Sequence, residues 1–193
     1  MALTFDAGGN DAGVAKILAV LDHEQVTATF FMTGQWAQLY PAQARTIARA
    51  FRLGDHSMTH PHFSALSLDQ VRHQVLDAAE SIHQTTGLSP TPFFRFPYGD
   101  ENPGLITAVN ALGFIPIRWT IDTLGWQGTR AGATTSSIVQ RVLGALAPGE
   151  IVLMHVGSTP GDGSTPDADA LAQLIEAVRM RGYSLVSLNA MLN

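Results

Sequence analysis

The sequence predicts an α/β fold, a parallel sheet closed or nearly closed into a barrel, on three observations. Seven short β-branched or aromatic runs alternate with amphipathic helical segments along the chain. Such regular alternation places parallel strands inside and helices outside. Five of the apolar runs end on a polar residue, which is where a β/α barrel gathers its chemistry. No internal repeat and no linker-like boundary interrupts the 193 residues, so residues 1–193 are expected to form one domain.

Residues 2–6 form an apolar run ending in Asp6, and Asp11 has the character of a helix N-cap before the periodic Val14, Ile17, Leu18 and Leu21. Residues 26–31 are β-branched and aromatic and give a second strand; residues 41–52 follow as helix, with Pro41 in the tolerated first turn. Residues 53–57 form a third strand that delivers His56. The longest helix spans 67–86: Ser67 caps it, Val71, Val75, Leu76, Ala79 and Ile82 form its stripe, and Gly87 stops it. His73 and His83 fall on its solvated or half-buried face.

A fourth strand, 93–96, closes on Pro97; helix follows over 103–112 and a fifth strand over 114–121. Helix 134–146, strand 151–155, helix 167–181 and a seventh strand over 183–188 complete the pattern. The Gly-, Ser- and Thr-rich run 157–169 reads as a solvated connection or a substrate lid.

Composition limits the function classes. Sixteen acidic residues against eleven basic ones give a net charge of −5 with no Lys/Arg cluster, which argues against nucleic acid and anionic membrane surfaces as partners. There are no cysteines, so any metal must be held by histidine and carboxylate. No uninterrupted apolar run reaches membrane-spanning length, and membrane insertion is not expected. The chain opens almost directly on its first strand, so a signal segment is expected to have been cut away upstream, with an extracellular or cell-surface location. Composition does not speak to oligomeric state.

His56 and His60 are the only histidines spaced four apart, and on a helical turn that spacing puts both imidazoles on one face, toward a single ion. Two histidines supply two of the roughly three protein ligands of a catalytic zinc site. Around them stand the other polar strand ends: Asp6, Arg95 to Tyr98, Asp122 and His155.

In order, these motifs resemble those of the polysaccharide deacetylases, the NodB-homology domain of carbohydrate esterase family four, over essentially the whole chain. Thr4-Phe5-Asp6-Ala7-Gly8 resembles T-F-D-D-G, His56-Ser57-Met58-Thr59-His60 resembles H-[S/T]-x-x-H, and Arg95-Phe96-Pro97-Tyr98 resembles R-x-P-Y. Asp122-Thr123-Leu124-Gly125-Trp126 is similar to D-x-x-D-W, and Leu153-Met154-His155 to L-x-H. The resemblance implies a distorted (β/α)7 barrel with its site at the C-terminal ends of the parallel strands. It implies one divalent metal, zinc or else cobalt, and removal of N- or O-acetyl groups from a glycan such as peptidoglycan, a chitin-like oligomer or acetylxylan. His56 and His60 would bind the metal and Asp6 would be the general base. Arg95 would orient Asp6, the backbone amide of Tyr98 would stabilise the oxyanion, and His155 would protonate the leaving group. Trp126 and Leu153 would wall the acetyl pocket, next to Tyr98.

Two positions depart from the family pattern. Ala7 stands where the family has its third metal ligand, leaving Asn10, Asp11 or a bent Asp6 to complete the shell. Gly125 stands where an Asp often precedes the tryptophan, which leaves Asp122 as the expected carboxylate partner of His155. A metal-depleted, non-catalytic carbohydrate-binding domain of the same fold is the alternative.

Overall fold

The computed structural model describes residues 1–159 and 161–192. The chain forms two compact units, one made of Met1–Thr29 together with the stretch from Trp119 onward, the other of Phe30–Arg118. Neither crossing has the look of a linker: the first falls inside a strand, the second inside the run 114–121.

In the first unit, β1 (Ala2–Ala7), β6 (Ile121–Asp122) and β7 (Ile151–His155) lie in the order β1-β7-β6, all parallel. Every residue of β1 is buried, as expected for a parallel strand covered on both faces. Its one hydroxyl, Thr4, donates to Val152 O at 2.7 Å, so the burial leaves no orphan there. The β1–β7 register pairs Ala2 with Ile151 and continues to Asp6 with His155. The two polar residues thus lie side by side near the ends of neighbouring strands. Helices α1 (Val14–His23), α6 (Thr135–Ala145) and α7 (Pro166–Met180) pack in this unit. A short α8 (Leu188–Leu192) ends the described chain.

The second unit holds β2 (Ala28–Met32, entered from the first unit), β3 (Arg52–Asp55), β4 (Phe93–Phe94) and β5 (Ile115–Pro116), ordered β5-β4-β3-β2. Its helices are α2 (Gly34–Leu39), α3 (Pro41–Ala48), α4 (Leu68–Thr86) and α5 (Pro103–Ala111). The core joins Val71 and Val75 of α4 to Phe63, Phe94, Phe96, Leu105, Val109 and Phe114. Phe94 and Phe96 meet nearly at right angles at 4.9 Å, the arrangement ring quadrupoles prefer. Ser67 and Gln70 form the capping box of α4, and Gly87 ends it at φ 78°, as the sequence predicts. Gly34 lets α2 approach α4: a Cβ there would fall 2.9 Å from Ala78 Cα and 2.3 Å from Met58 Sδ.

Four expectations need correction. The run 114–121 is two short strands with different neighbours: Ile115 N and Ile117 N donate to Pro92 O and Phe94 O on the β4 side, whereas Thr120 N donates to Ile151 O of β7. Residues 183–188 form no strand through 187: they are held to Met1 by two backbone bonds, Val186 N to Met1 O and Met1 N to Ser184 O, too few for a ladder. Helix α2, which the sequence reading lacks, is short enough to hide between two stronger signals; Thr33 caps it by accepting from Trp36 N. Finally, α1 is capped at Gly13 with no side-chain cap bond, and the Asp11 carbonyl accepts from Val14 N. No described helix is long and apolar enough to cross a membrane.

Candidate active site

The second unit presents the histidine pair. His56 follows β3 directly, yet the segment to His60 is an irregular loop, not the helical turn that spacing suggests. Ser57 and His60 both take left-handed backbone, with φ of 69° and 61°. Local bonds hold this shape: Ser57 N donates to Asp55 Oδ1 at 2.7 Å, and His60 N donates to Ser57 Oγ at 3.0 Å. The result brings His56 Nε2 and His60 Nε2 to 3.1 Å. His56 Nδ1 lies 2.8 Å from Arg95 O, and a carbonyl only accepts, so Nδ1 carries the hydrogen and Nε2 the lone pair.

That tautomer and spacing fit two positions around one divalent ion with nitrogen ligands near 2.0–2.1 Å. Among the described residues, no group of three or more His, Asp or Glu side chains is arranged to hold a metal. Ala7 is fully buried at the end of β1 and offers no donor. The Asn10 side chain donates to Ser158 O at 3.0 Å, beyond the end of β7, and accepts from Ala12 N at 3.1 Å in its own loop.

Asp55, which sequence reading passes over, is completely buried, and burial raises its carboxyl well above the usual carboxylate range despite the bond from Ser57 N. Its Oδ2 has no hydrogen-bond partner among the described residues. Arg95 is also fully buried: Nε donates to Ile117 O at 3.2 Å and the guanidinium lies 4.1 Å over the Phe31 ring. Tyr98 takes φ 60° and is 60% exposed, its ring stacked on His62 at 4.1 Å and edge-on to His60 at 4.5 Å. Strained non-glycine backbone thus clusters in the predicted motifs, at Ser57, His60, Tyr98 and Leu124.

The first unit presents the acid and base candidates. Asp6, one residue before the end of β1, lies in register with His155 at the end of β7. Asp122, at the end of β6, is not the partner at the His155 ring: its Oδ1 accepts from Leu124 N at 2.8 Å, and its carbonyl accepts from Arg141 Nε at 2.6 Å. The carboxylate at His155 Nδ1 is that of Asp167, 3.6 Å away, an ion-pair distance just beyond a direct hydrogen bond. Burial alone would lower the His155 pKa; Asp167, then Asp6 and Asp122, overcome it, and the imidazole ends above its ordinary value. Trp126 is 41% exposed, and its carbonyl is fixed by Thr159 N at 2.7 Å. Leu153 is buried within β7. Asp167 left no motif signal, because residues 125, 155 and 167 meet only through tertiary structure.

The profile of the polysaccharide deacetylase family matches residues 1–117. A peptidoglycan-N-acetylglucosamine deacetylase of Bacillus cereus is 32% identical over 192 residues, covering 99% of this chain and 67% of that protein. A chitooligosaccharide deacetylase of Sinorhizobium fredii is 34% identical, covering 96% and 88%. Among solved structures, a CE4 family pseudoenzyme from Bacillus anthracis superposes with a TM-score of 0.89 at 28% identity, covering all of this chain. This chain spans 64% of the length of that one. The likeness bears out the expected fold class, a distorted (β/α)7 barrel, in keeping with seven strands that are parallel wherever their pairing is described.

Proposed function

The chain belongs to the polysaccharide deacetylase family, and from that premise we propose that it is a metal-dependent hydrolase that removes acetyl groups from an amino-sugar glycan of the peptidoglycan or chitooligosaccharide kind. The observation that carries the metal dependence is the convergence of His56 Nε2 and His60 Nε2, with the His56 tautomer set by Arg95 O. These two residues would hold the ion, zinc or cobalt, which supplies Lewis acidity at the acetyl carbonyl and a more acidic water.

The chain's own groups account for the proton movements. Asp6 takes a proton from the attacking water as its oxygen bonds to the acetyl carbon. Tyr98 offers its backbone N–H to the oxygen that becomes negative; its left-handed φ fixes the direction of that N–H. When the C–N bond breaks, His155 gives its proton to the departing amine, leaving acetate and a free amino sugar. The acids around His155 support this, because they keep the imidazole protonated further toward neutral pH. The exposed rings of Tyr98 and Trp126 offer flat apolar faces to a sugar. The reading includes an extracellular or cell-surface location.

A second reading, carbohydrate binding without catalysis, is favoured by one observation: Ala7 leaves the histidine pair without the family's carboxylate ligand. An acetate-release screen separates the two. Protein supplied with zinc or cobalt is assayed on peptidoglycan, chitin oligomers, acetylxylan and small acetyl esters. Release from the amino-sugar glycans supports the hydrolase; glycan binding without release on any substrate, and no bound metal, supports the binding module.

A further inference from the structure

Position 125 is a glycine, and the space beside it is filled. A Cβ on Gly125 would lie 2.3 Å from Asp167 Cγ and 2.4 Å from each of its carboxylate oxygens, so the Asp167 head group occupies the volume a side chain at 125 would need. Asp167 reaches that place from the first turn of α7, just after Pro166. It is 2% exposed, and its Oδ2 accepts from the backbone N–H of His155 at 2.8 Å while standing 3.6 Å from the same residue's Nδ1. Among the described residues, neither His155 Nδ1 nor Asp167 Oδ1 has a hydrogen-bond partner within bonding distance.

Ordinary helix capping does not explain this carboxylate. The N-cap of α7 is Thr165, and no side chain caps the helix there. Asp169, the other acid of the first turn, behaves as a surface residue, paired with Lys16 and 42% exposed. Asp167 is turned inward instead. A carboxylate in the first turn of a helix sits well against the helix dipole, which offsets part of the cost of burying it.

We propose that Asp167 is the positioning residue of His155: a carboxylate delivered from α7 into the space that glycine at 125 leaves open, holding the ring with Nδ1 protonated and Nε2 presented for proton transfer. The bond from Asp167 Oδ2 to the His155 backbone fixes the carboxylate relative to the ring, and the 3.6 Å gap to Nδ1 closes with a small side-chain adjustment when the ring is charged. Asp6 from β1 and Asp122 from β6 add charge at longer range, and Asp167 ranks ahead of both. Its contribution to turnover rests on the deacetylase reading; its hold on His155 does not.

The test is a cycle of Asp167→Ala, Gly125→Asp and the double variant, with Asp167→Asn as the variant closest in shape. The His155 ring is followed by NMR through a pH titration, which requires no turnover. Asp167→Ala and Asp167→Asn should both lower its titration midpoint, and Gly125→Asp should restore it in the Asp167→Ala background. Gly125→Asp alone, placed against the resident carboxylate, should lower the melting temperature, and Asp167→Ala should relieve that loss, so the two substitutions are strongly non-additive. In turnover, Asp167→Ala should slow hydrolysis of an N-acetyl substrate about 10-fold or more, while an activated ester, whose leaving group needs no proton, changes far less. An unmoved His155 midpoint in Asp167→Asn, or additive effects of the two substitutions, would overturn the proposal. If the midpoints move as expected and no variant, wild type included, releases acetate, the positioning role stands and the deacetylase reading falls.

Discussion

His56 and His60 bring their Nε2 atoms to 3.1 Å across a loop whose shape depends on left-handed backbone at Ser57 and at His60 itself. Two nitrogens at that distance either share a proton or share an ion. If they share an ion, His60→Ala should weaken zinc binding by about 10-fold or more, since even outer groups around a metal matter on that scale. Competition against a chromogenic chelator measures it, and unchanged affinity in the variant would remove the pair from the account.

Ala7 is fully buried at the end of β1. Ala7→Asp restores the residue that the family pattern has there, and two effects should appear together. Without metal the buried carboxylate should lower the melting temperature, because burying an unpaired charge is costly. With zinc the variant should gain more stability than wild type does, because a ligand that binds only the folded state stabilises it. Equal gains from zinc in the two proteins would mean that another residue already fills the third position.

The raised pKa of His155 gives a stability signature. Its folded value lies above its unfolded value, near 6.5, so the folded state holds the proton more tightly. The stabilisation is fully present below the unfolded value and is lost as pH rises through the folded one. Urea denaturation of wild type and His155→Gln at stepped pH should therefore show the wild-type advantage shrinking from pH 6 upward. An advantage that grows with pH would reverse the sign assigned here.

Much of this architecture is written locally. Ser67, Gln70 and Gly87 mark both ends of α4, and the apolar runs that end in Asp6 and His155 locate their strand ends, because caps and burial patterns act over a few residues. Non-local facts are not legible in the same way. Residues 183–188 have strand-like composition, but among the described residues they are joined to the start of β1 by just two backbone bonds, both to Met1. The His56–His60 spacing suggests a helical turn, while the loop is set by Asp55 and Ser57. Gly125 shows in the sequence as a missing acid, yet nothing in the sequence ties it to Asp167, 42 positions on, until the two share one volume.

Gly34 connects core packing to the histidine loop, since its nearest neighbours are Met58, between the two histidines, and Ala78 of α4. Gly34→Ala should cost about 1–3 kcal/mol through overpacking. For a chain of this size that is a fall of roughly 2–12 °C in melting temperature. Differential scanning fluorimetry reads it, and an unchanged or higher melting temperature would mean that the Met58 loop yields without strain.

The central claim is that acetyl groups are hydrolysed with Asp6 as the base. It is tested most directly by acetate release from a chitin oligomer with zinc present, wild type beside Asp6→Asn, and with metal content determined on both samples. The account predicts steady release by wild type and a loss of about 100-fold or more in Asp6→Asn, with metal content nearly unchanged. Comparable rates in the two proteins, or no release by a wild type that holds zinc, would contradict it.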